Sequence, residues 1–582
     1  MAIEYIKLLE ERLGDAAVES HSFRGFESAV VRSGAWERAL EILKTDGKLN
    51  MLTDLCGLDH PGEKDRFEVV AHLYSVEKKK RVRLKTRCPE DDPSISTSTR
   101  VYPAADWFER EAFDMYGIRF DGHPNLKRIL CHRDFVGHPL RKDYPKEKRQ
   151  PFSTPDTLMD EMEILDPCDR PIVRSSDRKI LDGVTIARST IARSHDSRFL
   201  LNIGPSHPAM HGCFRVLVEL DGERIRNAVP EIGYMHRCFE KEAEAHTWHQ
   251  VIAYTDRLNY VSPIMNNAGY CMAVERLLDI EIPERAKWIR MLACEVSRIC
   301  DHLVAVGANL VDIGALTNFW YLFNAREQFT DWIEALAGAR LTATYTRIGG
   351  LSRDIPAGSN AQLRSCIKTM RQAIKDVAAM TKKNRILIDR THGIGAISEE
   401  EAITRGFTGP CLRATGCAYD VRRAHPYYFY DDIEWDVPVG IRGDTYDRIF
   451  VRMEEMEQSA RIIEQVLERL PEGPIMTSRR DVVLPPPHEV YGSIEGMMQH
   501  FKLAMHGIHP PEGEVYSYTE AANGELGFYI VSDGCERPYR ARVRAPCFPI
   551  YQAFPMLIKG HLVADVVAIM GSLNIIAGEL DR

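Results

Sequence analysis

The chain has 582 residues, a formal net charge of −9 and 27% charged residues with both signs interspersed. That length predicts three or four compact units with large cores, and an acidic balance excludes a protein held to nucleic acid by a basic face. No run of about 18 apolar residues occurs, so a bilayer-spanning helix is not expected.

The first fifteen residues, MAIEYIKLLEERLGD, form an acidic amphipathic pattern with no basic or apolar leader, so no secretory signal is expected. Fourteen cysteines at irregular spacing, with no CxxC, then predict reduced thiols rather than a disulfide framework, and no metal site built from the chain's own thiols.

In chain order, residues 4–60 are expected to form helices with a short strand. Tyr5, Leu8, Leu9 and Leu13 fall at helical spacing, as do Trp36, Leu40 and Leu43. From Phe67 the period becomes two. This predicts an antiparallel hairpin with one solvated face, turning at residues 77–80. Residues 106–117 predict a helix with Asp106 as N-cap and Gly117 as its stop. His123 and His138 precede prolines, Arg141 and Lys142 are expected at the surface, and no catalytic constellation is visible in residues 1–150. Residues 151–195, rich in Pro, Asp, Ser and Arg, are expected to be a linker. Within them Asp166-Pro167-Cys168 starts like a metal-binding motif, but Pro171 stands where a second cysteine would be needed.

The third region, 196–582, opens with Asn202-Ile-Gly-Pro-Ser-His207-Pro-Ala-Met210-His211-Gly212. Pro208 fixes φ and removes a donor, so His211 is expected on a rigid turn. It is followed by strands at 213–220 and 223–229 joined at Asp221-Gly222. His211 there is either aimed into a cavity or caps its own turn; the motif alone leaves both open. Four long amphipathic helices follow. The first has Pro283 at N1, the stripe Ile289, Leu292, Val296, Ile299, Leu303, Val306, Leu310, and an end near Asp312–Gly314. The others cover 317–337, the stripe 363–377 and the stripe 449–470, and together predict a helical bundle. Gly307, inside the first, is expected to mark a close helix approach. Strands return after 510, and a short helix is expected near 557–572; residues 566–577 are too short and too interrupted to span a bilayer.

The series GPSHPAMHG (204–212), IGYMHRCFEKEAE (232–244), YTDRLNY (254–260), DIGAL (312–316) and RIGGLSRDIP (347–356) closely resembles the 49-kDa (D) subunit of respiratory complex I, the proton-pumping NADH:quinone oxidoreductase. The block from Asp106 to Pro145 resembles the 30-kDa (C) subunit. The chain is thus similar to a fused C/D subunit. The resemblance implies an α+β fold: a small α+β docking domain over 1–150, a linker over 151–195, and a hydrogenase-large-subunit-like domain over 196–582 with a helical bundle core and flanking β-hairpins.

It also implies a function: a quinone headgroup held by His211 and Tyr260, with Asp312 pairing His211 and with His207, Met210 and Gly212 around the substrate. Quinone reduction takes two electrons and two protons, which suits a histidine held charged by a carboxylate and a neutral tyrosine. Arg257, Arg340 and the segment at 342 would lie near the terminal 4Fe-4S cluster of the neighbouring B-type subunit, and a fixed cation there favours the reduced cluster. The chain itself would carry no metal or flavin. It would sit peripherally on the cytoplasmic side of the bacterial inner membrane, among subunits of the B, I, H, A and G types, and reach the membrane through them. The family pattern GxRxHxxYxRxGG has Thr342 in place of its histidine here. Without that proton-taking group the cluster's potential is expected to be lower and nearly independent of pH, a balance that favours menaquinone over ubiquinone.

Two other readings compete. A nickel-iron hydrogenase large subunit would hold nickel with two CxxC motifs; Met235-His236-Arg237-Cys238 keeps one cysteine, and the last 35 residues have none. A structural adaptor, or a subunit of a related membrane complex with another electron donor, would leave the quinone residues unused or feed them differently.

Overall fold

The computed structural model describes residues 3–148, 150, 178–181, 184–187 and 198–582. The N-terminal half is built from α1 (Ile3–Leu13), β1 (Ala17–Phe23), β2 (Phe26–Val31), α2 (Trp36–Thr45), β3 (Met51–Asp59), β4 (Phe67–Ser75), β5 (Lys80–Cys88) and α3 (Ala105–Tyr116). Its strands form one sheet in the order β1-β2-β5-β4-β3, antiparallel except for the β2–β5 pair. Three strands before residue 60, rather than one, correct the helical expectation for this stretch. Tyr5 and Leu9 of α1 and Trp36, Leu40 and Leu43 of α2 do fall in the core. In α3 the N-cap is Ala104; Asp106 lies in the first turn, and Gly117 closes the helix at φ +78.

The hairpin β4–β5 has no solvated face. Its polar alternates, His72, Arg83 and Lys85, are buried because Glu514 of the C-terminal half meets Arg83 at 2.7 Å and Lys85 at 2.6 Å. Alternation thus marks an interface between halves, where ion pairing replaces water. Arg141 and Lys142 likewise serve the junction: the Arg141 carbonyl accepts from Lys241 at 2.9 Å, while its side chain donates to the Tyr116 carbonyl within the N-terminal half, and Lys142 meets Glu244 at 2.8 Å.

The expected linker and its Asp166-Pro167-Cys168 motif lie largely outside the described residues; within it Arg178–Leu181 pairs antiparallel with Val184–Ala187. Next come β6 (Arg198–Ile203), β7 (Arg215–Asp221) and β8 (Arg224–Glu231), an antiparallel three-stranded sheet. The bundle consists of α4 (Glu284–Asp312), α5 (Leu316–Ala337), α6 (Ser359–Thr381) and α7 (Thr445–Arg469). All seven stripe residues of α4 are buried, since a period of 3.6 puts them on one face. Pro283 is the N-cap of α4 rather than N1. Gly307 does mark a close approach: a Cβ there would lie 3.1 Å from the Phe319 ring of α5. A second antiparallel sheet, β9 (Gly513–Ala521), β10 (Gly524–Ser532) and β11 (Arg540–Arg544), carries the charges that face the N-terminal half. The chain then closes with α8 (Val563–Leu573) and the short α9 (Ala577–Leu580). No helix among the described residues is long and apolar enough to cross a membrane.

Candidate functional site

The His211 loop leaves β6 and passes Gly204, which a side chain could not occupy because a Cβ would meet the Phe214 carbonyl oxygen at 2.3 Å. A single 3₁₀ turn, Pro208–Met210, follows. His211 then takes φ +54, a left-handed conformation that histidine adopts more readily than most residues. It directs Nε2 onto Asp312, 2.5 Å from Oδ2. Asp312 is the last residue of α4, released by Gly314 at φ +98, and both side chains keep some exposure, 19% and 13%.

Space for this carboxylate comes from α8. A Cβ on Gly571 would stand 2.3 Å from Asn309 Nδ2 and 3.0 Å from Asp312 Oδ2, and Asn309 is already fixed by donating to the Ala568 carbonyl at 3.1 Å. Gly571→Ala is therefore expected to push α4 and α8 apart at the site, costing about 1–3 kcal/mol as overpacking does. A lower unfolding temperature together with slowed turnover of the assembled complex is the readout.

Tyr260 lies on the other side of α9. A Cβ on Gly212 would meet that of Ala577 at 2.8 Å, while one on Gly578 would lie 3.6 Å from the Tyr260 ring. The histidine and tyrosine loops thus flank the same two residues. Asn259 sets the tyrosine turn: its Oδ1 accepts from Val261 N at 3.1 Å, and its Nδ2 donates to the buried Asp301 at 3.0 Å. Asn574 donates to the other oxygen of Asp301 at 2.9 Å. Burial, with smaller contributions from Cys213 and Asp301, pushes the Tyr260 phenol up from its usual value, which keeps the hydroxyl protonated.

Beside this lies a cavity of about 520 Å³ lined by Met235, Arg237, Tyr254, Arg257 and Gly578. Arg257 holds the buried Asp256 at 2.6 Å, with 47% of its own side chain exposed. The second Asp256 oxygen accepts from Thr344 at 2.6 Å, which ties the 342–344 segment to Arg257. Thr342 itself is half-buried at φ +49. Arg340 is exposed and held by Asp331, Glu334 and Glu327 at 2.6–2.7 Å.

His207 is exposed on the loop. Met210 is fully buried in the core beneath the loop. Gly212 serves the packing on Ala577. His236 is 2.8 Å from the Asp581 carbonyl, and no three His, Cys, Asp or Glu side chains converge as metal ligands among the described residues. The Asn259–Asp301–Asn574 chain and Gly571 escaped sequence reasoning. Only the glycine and asparagine interrupting the apolar run 566–577 signalled them.

A family model described as the 49 Kd subunit of respiratory-chain NADH dehydrogenase matches residues 312–582, and one described as the 30 Kd subunit matches 29–150. The chain is 49% identical over 543 residues to the C/D subunit of NADH-quinone oxidoreductase from Bdellovibrio bacteriovorus, covering 93% of each. It is 42% identical over 542 residues to the protein of that name from Methylococcus capsulatus, covering 91% of this chain and 90% of the relative. It is also 52% identical over 384 residues to a D-type subunit of NADH-quinone oxidoreductase from Sorangium cellulosum, spanning 66% of this chain and 95% of that one.

Proposed function

Because the chain belongs to the family of fused C/D subunits of NADH-quinone oxidoreductase, and is thus a subunit of an oxidoreductase complex of the respiratory chain, we propose that its 196–582 region, a hydrogenase-large-subunit-like domain, forms the quinone headgroup site. The observation that carries this reading is the 2.5 Å contact between His211 and Asp312. With Nε2 turned to the carboxylate, Nδ1 is the atom left to donate to a quinone oxygen. Tyr260 serves the second oxygen with its neutral hydroxyl. Two electrons from the terminal 4Fe-4S cluster of a neighbouring subunit and one proton from each side chain then convert quinone to quinol.

In this reading the chain needs no metal or flavin of its own, lies peripherally on the cytoplasmic face of the inner membrane, and meets the quinone through B-, H- and I-type neighbours. The test is NADH:quinone reduction by the assembled complex carrying Asp312→Asn, beside electron transfer from NADH to a hydrophilic acceptor that bypasses the quinone. A selective loss of the first supports the site; equal rates to wild type with quinone would refute it.

Arg257 bears on the cluster as an exposed cation, and Thr342 is linked to it through Thr344 and Asp256. Threonine does not titrate near neutrality, so this segment adds no proton uptake on cluster reduction. The cluster potential is expected to change with pH far less than the one-electron, one-proton limit of about 59 mV per unit. An EPR redox titration of the complex between about pH 6 and 8 checks this. A slope near that limit would mean that another group takes up the proton, and the preference for menaquinone would go with it.

A further inference from the structure

The Asn259–Asp301–Asn574 chain behind Tyr260 continues to a second buried acid, Glu579. This residue sits in α9 directly after Gly578, where a Cβ would lie 3.6 Å from the Tyr260 ring. Its Oε1 accepts from Cys547 N at 3.0 Å and its Oε2 from Asn523 Nδ2 at 3.4 Å. Asn523 Oδ1 accepts from Asn574 at 2.6 Å, and Asn574 donates onward to Asp301 at 2.9 Å. Two buried carboxyls are thus joined through two amides, and Asp301 holds Asn259 and with it the Tyr260 turn.

Among the described residues no lysine, arginine or histidine pairs with either acid; their hydrogen bonds come from amides and a backbone N–H. The charged groups on the surrounding elements are committed elsewhere. Arg452 of α7 donates to the Ser572 carbonyl at 2.6 Å, Arg544 of β11 to the Glu525 carbonyl at 2.6 Å, and Arg582 to Glu111 at 2.6 Å. Asp581 accepts from Gly233 N and Met235 N, each at 2.9 Å. A buried carboxyl without a cation resists ionisation. Burial accordingly pushes Glu579 up to about 7, and Asp301 adds to the rise, against hydrogen bonds from Cys547 and Asn523 that favour the charged form. Burial and Glu579 keep Cys547 a neutral thiol. Asp301 and Cys547 also act on Tyr260, so the acid and the phenol share their surroundings.

We propose that Glu579 is a positioning residue for quinone reduction: uncharged, it lets Tyr260 release its proton, and its ionisation opposes that release. The inference rests on the reading of Tyr260 as a proton donor. When the phenol gives its proton to a reduced quinone oxygen, it is left as a phenolate until a proton returns. An ionised Glu579 behind the same turn sets a second negative charge against that phenolate, where no water screens the two. Glu579 is protonated below about 7 and loses its proton above it. Quinone reduction therefore runs freely on the acid side and falls as pH rises through that value.

The test is the profile of NADH:quinone reduction by the assembled complex between about pH 6 and 9, with electron transfer from NADH to a hydrophilic acceptor measured at each pH as control. The wild-type rate is expected to fall on the alkaline side towards about tenfold per unit, as one ionisation dictates. Glu579→Gln keeps the shape but cannot ionise, and is expected to shrink the ratio of the rates at about pH 6 and 9 by about tenfold or more. Cys547→Ala removes a thiol that favours the charged form, and is expected to move the fall to higher pH. This small substitution keeps the test valid if Glu579→Gln does not assemble. A wild-type profile in every variant that assembles, or no alkaline fall in wild type, would overturn the proposal alone. The same change in the control rates would place the effect before the quinone and overturn it equally. A full rate in Tyr260→Phe would remove the tyrosine from the chemistry and this proposal with it.

Discussion

Tyr260→Phe is expected to lower quinone reduction by the assembled complex at least about 100-fold, the size of a lost general acid, while assembly persists. The substitution removes one oxygen and leaves the ring against Gly578, and the turn is held by Asn259 and Asp301 rather than by the hydroxyl. Burial keeps that hydroxyl protonated at neutral pH, so its proton is available when a strongly basic reduced quinone oxygen forms beside it. The change should appear in kcat more than in KM, because the interaction strengthens as charge develops on the oxygen. A rate within about twofold of wild type would remove Tyr260 from the chemistry.

Arg542→Met is expected to be the most damaging single change away from that site. The guanidinium is buried between Asp54 at 2.8 Å, Glu111 and Glu240 at 3.3 Å. It joins β3 and α3 of the N-terminal half to β11. Removing it leaves the buried Asp54 without its arginine, while Glu111 keeps Arg582 and Glu240 keeps Arg540, each at 2.6 Å, and breaking a buried pair of this kind costs about 3–5 kcal/mol. Limited proteolysis and thermal unfolding should show the halves loosening together; a variant as stable as wild type would show that this cluster contributes nothing net.

The same junction predicts acid sensitivity. Burial pushes the carboxyl of Glu525 up, but Arg81 and Arg544 outweigh it and bring it down to about 2. Such a lowered acid stabilises the fold above its unfolded value of 4.5 and loses that contribution as pH falls towards about 2.

The bundle was legible because Ile289 to Leu310 repeat at helical spacing and solvent lies on the other side. The His211 turn was legible from Pro208 and Gly212, while its pairing with Asp312, 101 residues away, came only through family resemblance. The polar face of β4–β5 was misjudged for a physical reason: alternation cannot distinguish water from a matching set of charges, and those charges sit over 400 residues further along. Gly571 and the Asn259–Asp301–Asn574 chain depend on helix ends meeting across the fold, which local pattern does not encode.

The central claim is that His211, oriented by its contact with Asp312, gives a proton to the quinone. It is tested most directly by quinone reduction rates of assembled complexes carrying His211→Ala, Asp312→Asn and both changes. The prediction is a loss of about 100-fold or more in His211→Ala, a smaller loss in Asp312→Asn, and no further loss when the second is added to the first, since the carboxylate acts only through the ring. Wild-type rates in His211→Ala, or losses that simply multiply in the double variant, would contradict it.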